Sequence, residues 1–187
     1  GDVDHLIGAH LAPDGQRLAL DSGEGGSADI WLFDWTRGGL TRLTLDPAQD
    51  RQSVWAPDGE AIAFASNRAD NATMNLYWQR TDGTARAERL TVSTNHQYPT
   101  SWHPSGRYLL FVEESQPLNV DVMVLPLERD AASDWRAGKP TALLTGPSIE
   151  SGAEFSPDGR WIAYTSNESG RPEIYVQPFP GPGTKGL

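Results

Sequence analysis

Short apolar runs alternate with polar turns along this chain, and one such unit is written four times. Its clearest copy, residues 154–164, reads E-F-S-P-D-G-R-W-I-A-Y. Proline presets the first turn position, aspartate tolerates the second, and glycine takes the left-handed position that follows. The pattern predicts a β-hairpin with a bulged glycine. The apolar run over residues 161–164 predicts a strand that is buried on both faces.

The other three copies have their turn prolines at Pro13, Pro57 and Pro104, compared with Pro157 in the clearest copy. Each copy has leucine or an aromatic residue shortly before the proline and a β-forming run after the glycine. The third copy carries Ser105 in place of the turn aspartate. A self-similar unit of roughly 40–50 residues is typical of a propeller blade or a solenoid turn.

Strand-like pieces can be assigned within each unit from β-forming and alternating runs. The first unit predicts strands at 7–12, 17–21, 29–35 and 40–45, and the second at 52–56, 61–66, 74–79 and around 89–91. The third predicts strands at 120–125 and 141–144, separated by an insert at 128–139 in which we expect a short helical turn at 131–136. The fourth predicts strands at 151–155, 161–166 and 173–177.

These units predict an all-β chain, a β-propeller built of about four four-stranded antiparallel blades. We expect a single β-propeller domain over residues 1–187, with blades at about 5–46, 50–92, 96–146 and 149–187, the last of them incomplete. A β-solenoid is the alternative architecture, but solenoid coils are usually shorter than these units.

The segment F-S-P-D-G-R-W-I-A-Y-T-S-N-E-S-G-R-P-E-I-Y-V, residues 155–176, resembles the WD-like repeat of TolB-type propellers, and residues 56–67 resemble it nearly as well. The family includes the periplasmic TolB protein, propellers attached to prolyl-oligopeptidase-type hydrolases, oligogalacturonate lyases and sensor regions of bacterial serine/threonine kinases. Residues 173–183 look most similar to the kinase-linked kind. Because family members commonly have more than four blades, the resemblance implies a partial or open propeller.

Composition narrows the functions that this fold can serve. The formal net charge of −10 argues against a nucleic-acid partner, because an acidic domain repels phosphate backbones. The chain has no cysteine, and no apolar run approaches the ~18 residues of a membrane span. No signal peptide is visible. A periplasmic or extracytoplasmic location is therefore implied by the family resemblance alone.

The sequence shows no recognisable catalytic constellation. Its four histidines are not at metal-ligand spacing, and no G-x-S-x-G nucleophile elbow is present. We therefore expect no catalytic residues, no metal and no cofactor. Turn and core residues are alike in the four units, but the polar residues near the start of each unit's first strand differ. Such variation is typical of a binding face, because the residues there are not needed to maintain the repeat. The candidates for binding a ligand or partner are His5, Asp50, Arg51, Gln52, His96, Gln97, Tyr98 and Glu150.

Two functional hypotheses follow from this pattern. The first is a non-catalytic recognition module for a protein or peptide, acting as the sensor or scaffold part of a larger TolB-like bacterial protein. The alternative is the propeller domain of an enzyme, either a prolyl-oligopeptidase-type accessory domain or an oligogalacturonate-lyase-like protein. An open array of blades would leave apolar faces at its ends. A homodimer, or additional blades from a longer chain, would cover those faces.

Overall fold

A computed structural model of the chain describes residues 6–24, 27–115, 119–130 and 135–181. The chain divides into two compact units, Gly1–Thr94 (unit 1) and Asn95–Leu187 (unit 2). Each unit contains two antiparallel β-sheets, and the described residues include no helix. The prediction of an all-β chain made of four antiparallel sheets is therefore confirmed.

In unit 1, each sheet has four strands that neighbour one another in sequence order. Sheet 1 consists of β1 (Leu6–Leu11), β2 (Arg17–Glu24), β3 (Ser27–Asp34) and β4 (Gly39–Arg42). Sheet 2 consists of β5 (Asp50–Trp55), β6 (Ala61–Ser66), β7 (Asn75–Arg80) and β8 (Glu88–Arg89).

Unit 2 departs from four strands in both of its sheets. Sheet 3 has five strands: β9 (His96–Trp102), β10 (Tyr108–Ser115), β11 (Asn119–Arg129), β12 (Trp135–Ala137) and β13 (Thr141–Leu144). Sheet 4 has three described strands: β14 (Glu150–Phe155), β15 (Trp161–Ser166) and β16 (Glu173–Pro178).

The insert in the third repeat forms a strand where we predicted a helical turn. Residues 131–134 lie outside the described residues, but Trp135 and Arg136 belong to β12, so the helical prediction is wrong for these two. The cause is a local hairpin, because β11 extends to Arg129 and its last residues pair with β12. Trp135 is buried and packs edge-on against Trp102, with ring centroids 5.0 Å apart.

The repeated Pro-x-Gly turn joins the first and second strands of every sheet, as predicted. The turn glycines Gly15, Gly59, Gly106 and Gly159 all have positive φ, between 67° and 77°. Each of these glycines donates its backbone N–H to the carbonyl oxygen at the start of the turn, over 2.8–2.9 Å. A side chain at these positions is strained, because L-residues rarely adopt this conformation.

One side chain in each unit ties neighbouring turns together. In unit 1, Arg17 Nη2 donates to the carbonyl oxygen of Gly59 over 2.9 Å. In unit 2, His103 Nε2 lies 3.1 Å from the carbonyl oxygen of Gly159. The backbone N–H of Ser105 donates to His103 Nδ1 over 3.0 Å. Nδ1 is therefore an acceptor, and Nε2 carries the proton that is donated to Gly159. This contact explains why the third repeat replaces the usual turn residues.

The Arg-Leu-Thr triplet near the end of both sheets of unit 1 makes the same hydrogen bonds twice. Arg42 Nε donates to the carbonyl oxygen of Thr44 (2.9 Å), and Arg42 Nη2 donates to Asp29 (2.7 Å). Thr44 Oγ1 accepts the backbone N–H of Ile30 over 3.0 Å. The equivalent residues in sheet 2 are Arg89, Thr91, Asn75 and Leu76. These bonds divert the chain from the ladder, so β4 and β8 are shorter than predicted.

An apolar core fills the space between the two sheets of each unit. The core of unit 1 is formed by Ala12, Ala19, Ile30 and Leu43 on the sheet 1 side and by Trp55, Ile62, Phe64 and Tyr77 on the sheet 2 side. The core of unit 2 is formed by Leu110, Val112, Val122 and Val124 of sheet 3 and by Ala153, Ile162, Tyr164 and Tyr175 of sheet 4.

Strand β15 corrects one prediction from the repeat pattern. We predicted that residues 161–164 would be buried on both faces, but Trp161 is 45% exposed and Ala163 is exposed, whereas Ile162 and Tyr164 are buried. An apolar strand can be buried on both faces, but it is buried only where another element packs on each face. The described residues cover only one face of β15.

Candidate recognition site at the strand starts

Three of the predicted binding residues occupy the same position, at the start of the first strand of their sheets, and all three are buried. They are Asp50 in β5, Gln97 in β9 and Glu150 in β14. Each bonds to the second strand of its own sheet or to the loop after it. Gln97 donates to Glu113 over 2.5 Å, and Ser166 donates to Glu150 over 3.2 Å. Their visible role is to anchor the strand starts.

Asp50 is the most enclosed of the three. Arg68 Nη2 donates to both of its carboxylate oxygens at 2.9 Å, and Arg68 Nε donates to Ser66 Oγ at 2.9 Å. The same guanidinium lies 5.0 Å from the ring centroid of Tyr77. Burial raises the pKa of Asp50 above its ordinary value, and the Ser66 hydroxyl and the Arg68 charge oppose that rise.

The two residues after Asp50 are arranged differently. The pairing of β5 with β6 shifts between Arg51 and Val54, which marks a β-bulge. Gln52 lies in this bulge with φ of 52°, and its side chain is exposed. The matching bulge in β14 contains Gly152, with φ of 60°. A glutamine in this conformation costs about 1–2 kcal/mol relative to glycine, and such strain collects at functional sites.

Arg51 presents a cation beside this bulge. The side chain is partly exposed, while its Nε is shielded from solvent and has no hydrogen-bond partner among the described residues. Its neighbour Asp50 pairs with Arg68 instead. A partly exposed guanidinium is suited to bind a carboxylate through its planar fork.

In unit 2, the strand-start residues present aromatic surface. The rings of His96 and Tyr98 are near-parallel, with an interplanar angle of 19° and centroids 6.3 Å apart. Both side chains are partly exposed. Strand β14, which carries Glu150, contacts β9 within the same unit. His5 lies outside the described residues. The described candidates therefore form one consecutive run in unit 1 (residues 50–52), and in unit 2 they lie on two strands that contact each other.

Sequence reasoning missed a groove in unit 1 of about 1260 Å³, between the loop after β4 and the turn that joins β7 to β8. Its lining includes five arginines, Arg17, Arg37, Arg42, Arg68 and Arg86. The first four form ion pairs with aspartates. The recurring Arg-Leu-Thr triplet was the sequence signal for part of this lining. Because most of these charges are paired internally, the groove is a mixed polar surface.

No group of three or more potential metal ligands occurs among residues 6–24, 27–115, 119–130 and 135–181. Over the same residues, no helix is long and apolar enough to span a membrane.

The repeat, the turns and the sheet order are those of a known family. A family model described as the TolB beta propeller domain matches residues 4–134. The chain belongs to the TolB β-propeller domain family. A curated relative, "Uncharacterized peptidase YuxL" of Bacillus subtilis (strain 168), is 26% identical over 191 residues, which cover 83% of this chain and 28% of the relative.

Solved structures share the fold of this TolB-type domain. TolB from Acinetobacter baumannii superposes with a TM-score of 0.70 at 22% identity, covering 92% of this chain and 41% of that one. An oligogalacturonate lyase from Vibrio parahaemolyticus gives a TM-score of 0.65 at 16% identity, covering 94% of this chain and 49% of that one. The chain spans less than half of each of these three proteins.

Proposed function

We propose that this TolB-type domain is a non-catalytic recognition module that binds a protein or peptide at the strand starts. The observation that supports this function best is the β5 bulge. There, Gln52 is held in a conformation that favours glycine, and its side chain is directed to solvent beside Arg51. A purely structural bulge is served better by glycine, as Gly152 shows in sheet 4.

The chemistry of the bulge defines the kind of partner. Arg51 offers guanidinium donors to a carboxylate, and Gln52 offers an amide that both donates and accepts. We therefore propose that the ligand is a polypeptide segment with an Asp, a Glu or a C-terminal carboxylate next to exposed backbone amides. The net charge of −10 disfavours a phosphate backbone in this role.

A displayed peptide library selected against the purified chain tests this proposal. The affinity of the selected peptides is then measured for the wild type, Arg51→Ala and Gln52→Ala. We expect Arg51→Ala to weaken binding by about 10-fold or more, because a charge-assisted hydrogen bond is lost. The matched control is Arg37→Ala, which removes the same charge from the turn between β3 and β4, at the other end of the sheet from the strand starts. Selected peptides that bind Arg51→Ala as tightly as the wild type would refute the site.

A second candidate function is the propeller domain of a larger enzyme. The supporting observation is the Bacillus subtilis relative with a peptidase name, of which this chain spans 28%. Under this proposal, the catalytic residues belong to another part of the protein. Hydrolysis of peptide or pectic substrates by this chain alone, abolished by His96→Ala, would contradict both this proposal and the non-catalytic one.

We further propose an extracytoplasmic location, as the sensor or scaffold part of a larger bacterial protein. Similarity to TolB supports this location. Fractionation of cells that express the complete gene tests it, and recovery of the protein in the cytoplasmic fraction alone would refute it.

A further inference from the structure

The groove in unit 1 carries a charge of the opposite sign to that of the whole chain. It lies between the loop after β4 and the turn that joins β7 to β8, and its volume is about 1260 Å³. Five arginines and three aspartates line it, which gives the lining a formal charge of +2, compared with −10 for the chain. A positive groove on an acidic chain concentrates anions at one place.

Three of the five arginines are neutralised within the fold. They form short ion pairs, of 2.7–2.9 Å, with aspartates that do not line the groove: Arg17 with Asp14, Arg42 with Asp29 and Arg68 with Asp50. Their side chains are at most 36% exposed. These arginines therefore shape the walls of the groove and leave little charge for a ligand.

The three aspartates of the lining are held by their own turns and loop. Each accepts the backbone N–H of the residue two positions later, over 2.8–3.0 Å: Asp34 from Thr36, Asp46 from Ala48 and Asp82 from Thr84. Asp34 and Asp82 also accept the hydroxyl group of the same threonine. Because these carboxylates are bonded to nearby backbone, the charge that the groove offers to a ligand comes from arginine.

Arg37 and Arg86 are the two lining arginines whose charges remain available. Arg37 lies in the turn between β3 and β4, its side chain is 86% exposed, and its Nε is 3.7 Å from Asp34, which is beyond hydrogen-bond distance. Arg86 lies in the turn between β7 and β8 and is exposed, and it makes no hydrogen bond or ion pair with another described residue. The two arginines thus reach the groove from different sheets. Their planar forks match carboxylates.

The lining also offers aliphatic surface. Leu45 lines the groove and is 75% exposed, and Pro47 and Ala85 line it as well. The lining residues that the structure describes include no aromatic side chain, so the groove lacks the stacking surface on which proteins bind nucleobases. Its volume exceeds the roughly 300–1,000 Å³ of small-ligand pockets, which suits an extended segment of several residues.

We propose that this groove is a second binding site, and that its ligand is an acidic linear peptide in which carboxylates alternate with aliphatic side chains. Arg37 and Arg86 each bind one carboxylate, and Leu45 contacts an aliphatic side chain of the peptide. Arg51 and Gln52 do not line the groove, so this site is separate from the β5 bulge. It goes beyond the recognition function proposed for the strand starts.

Fluorescence anisotropy with a dye-labelled peptide tests the groove. The probe is an amidated peptide of three Glu-Leu repeats, and its neutral counterpart has three Gln-Leu repeats. We expect Arg37→Ala and Arg86→Ala each to weaken binding of the acidic probe by about 5-fold, because each removes one exposed ion pair. Arg171→Ala removes the same charge from unit 2, where this side chain is 79% exposed, and should bind the probe like the wild type. Circular dichroism verifies that all the variants are folded.

The arginine Nε–Hε signals in NMR spectra show where the probe binds, and each variant identifies one signal by its loss. We expect saturable shifts of the Arg37 and Arg86 signals, and the same shifts in Arg51→Ala. Arg51→Ala is therefore the control for this groove, whereas Arg37→Ala remains the control for a peptide held at the β5 bulge. The two sites can thus fail independently of each other.

Unchanged Arg37 and Arg86 signals would overturn the proposal, and so would equal affinities of the wild type and both groove variants. Shifts of the same size with the Gln-Leu peptide would contradict the recognition of carboxylates. Tighter binding of alginate, a polysaccharide rich in carboxylates, at the same two arginines would overturn the assignment of a peptide ligand.

Discussion

Strands β6 and β15 hold the same place in the repeat and have similar sequences, A-I-A-F-A-S and W-I-A-Y-T-S, yet their environments differ. All six residues of β6 are buried, whereas β15 alternates between exposed and buried positions over its first four residues. Ile62 and Ile162 are both fully buried, but Ala63 is buried and Ala163 is exposed. The comparison teaches that the repeat encodes a strand with apolar residues on both faces, and that burial of the second face differs between two copies of the same strand.

Placing the same charge at Ala63 and at Ala163 tests this difference in burial. Ala63→Glu places a carboxylate at a fully buried position, and we expect a loss of at least about 4 kcal/mol of unfolding free energy. Ala163→Glu lies on the open face, and we expect a change within about 0.5 kcal/mol in dilute solution. Urea unfolding followed by tryptophan fluorescence measures both. Similar losses for the two variants would mean that the faces of β6 and β15 are covered alike.

The turns allow a second comparison, between Gly159 in sheet 4 and Gly15 in sheet 1. Both have φ near 70°, so Gly159→Val and Gly15→Val each cost about 1–2 kcal/mol of backbone strain. A Cβ at Gly159 would collide with the His103 ring, whereas a Cβ at Gly15 meets nothing within 4 Å. We therefore expect the larger drop in melting temperature for Gly159→Val. Equal drops would show that His103 does not cover this turn.

The turn aspartates of sheets 4 and 1, Asp158 and Asp14, make the stability of the chain depend on pH. Hydrogen bonds from the Ser156 hydroxyl, the Arg160 backbone N–H and the Arg160 side chain hold the pKa of Asp158 well below its ordinary value. The backbone N–H of Gln16 and the side chain of Arg17 lower the pKa of Asp14. A carboxylate with a depressed pKa contributes stability above its unfolded pKa of 3.8, and that stability is lost as pH falls through the folded pKa.

We therefore expect stability to fall below about pH 4, and Asp158→Asn and Asp14→Asn to flatten that fall. Thermal unfolding at a series of pH values, with each variant compared with the wild type, provides the measurement. An acid-induced loss that is unchanged in both variants would contradict the role given to these turns.

The smallest effect is expected at the bulges of sheets 2 and 4. Gln52→Gly relieves strain in the folded chain but adds flexibility to the unfolded chain, so we expect a stability change within about 1 kcal/mol. Gly152→Gln reproduces the strained bulge in sheet 4 and should destabilise by about 1–2 kcal/mol. Calorimetry of both variants tests this asymmetry. A clear destabilisation by Gln52→Gly would show that the glutamine side chain has a structural role.

The repeat made much of the fold predictable from the sequence. Residues 61–66, 141–144 and 161–166 were predicted as strands with the bounds that the structure shows, because turn residues flank each apolar run. Strand β12 was not predictable from local pattern, since its three residues form a strand only by pairing with the extended end of β11 in a hairpin. The burial of each strand face could not be predicted from the sequence either, because it depends on what packs against that face.

The candidate site was predictable only in part. Polar strand starts marked Asp50, Gln97 and Glu150, but their burial depends on Arg68, Glu113 and Ser166, which come from the second strand or the loop after it. The left-handed φ of Gln52 could not be predicted, because it arises from a β-bulge, and a bulge depends on how two strands pair. The sequence located the polar residues. The structure shows which of them are buried and bonded within their sheet and which are exposed.

Hydroxyl-radical footprinting of the tryptophans tests the difference between covered and open strand faces most directly. Trp161 lies on the open face of sheet 4, Trp31 lies on the open face of sheet 1, and Trp55 is buried between sheets 1 and 2. We predict that Trp161 and Trp31 are labelled and that Trp55 is protected. Protection of Trp161 and Trp31 as strong as that of Trp55 would contradict this difference in coverage.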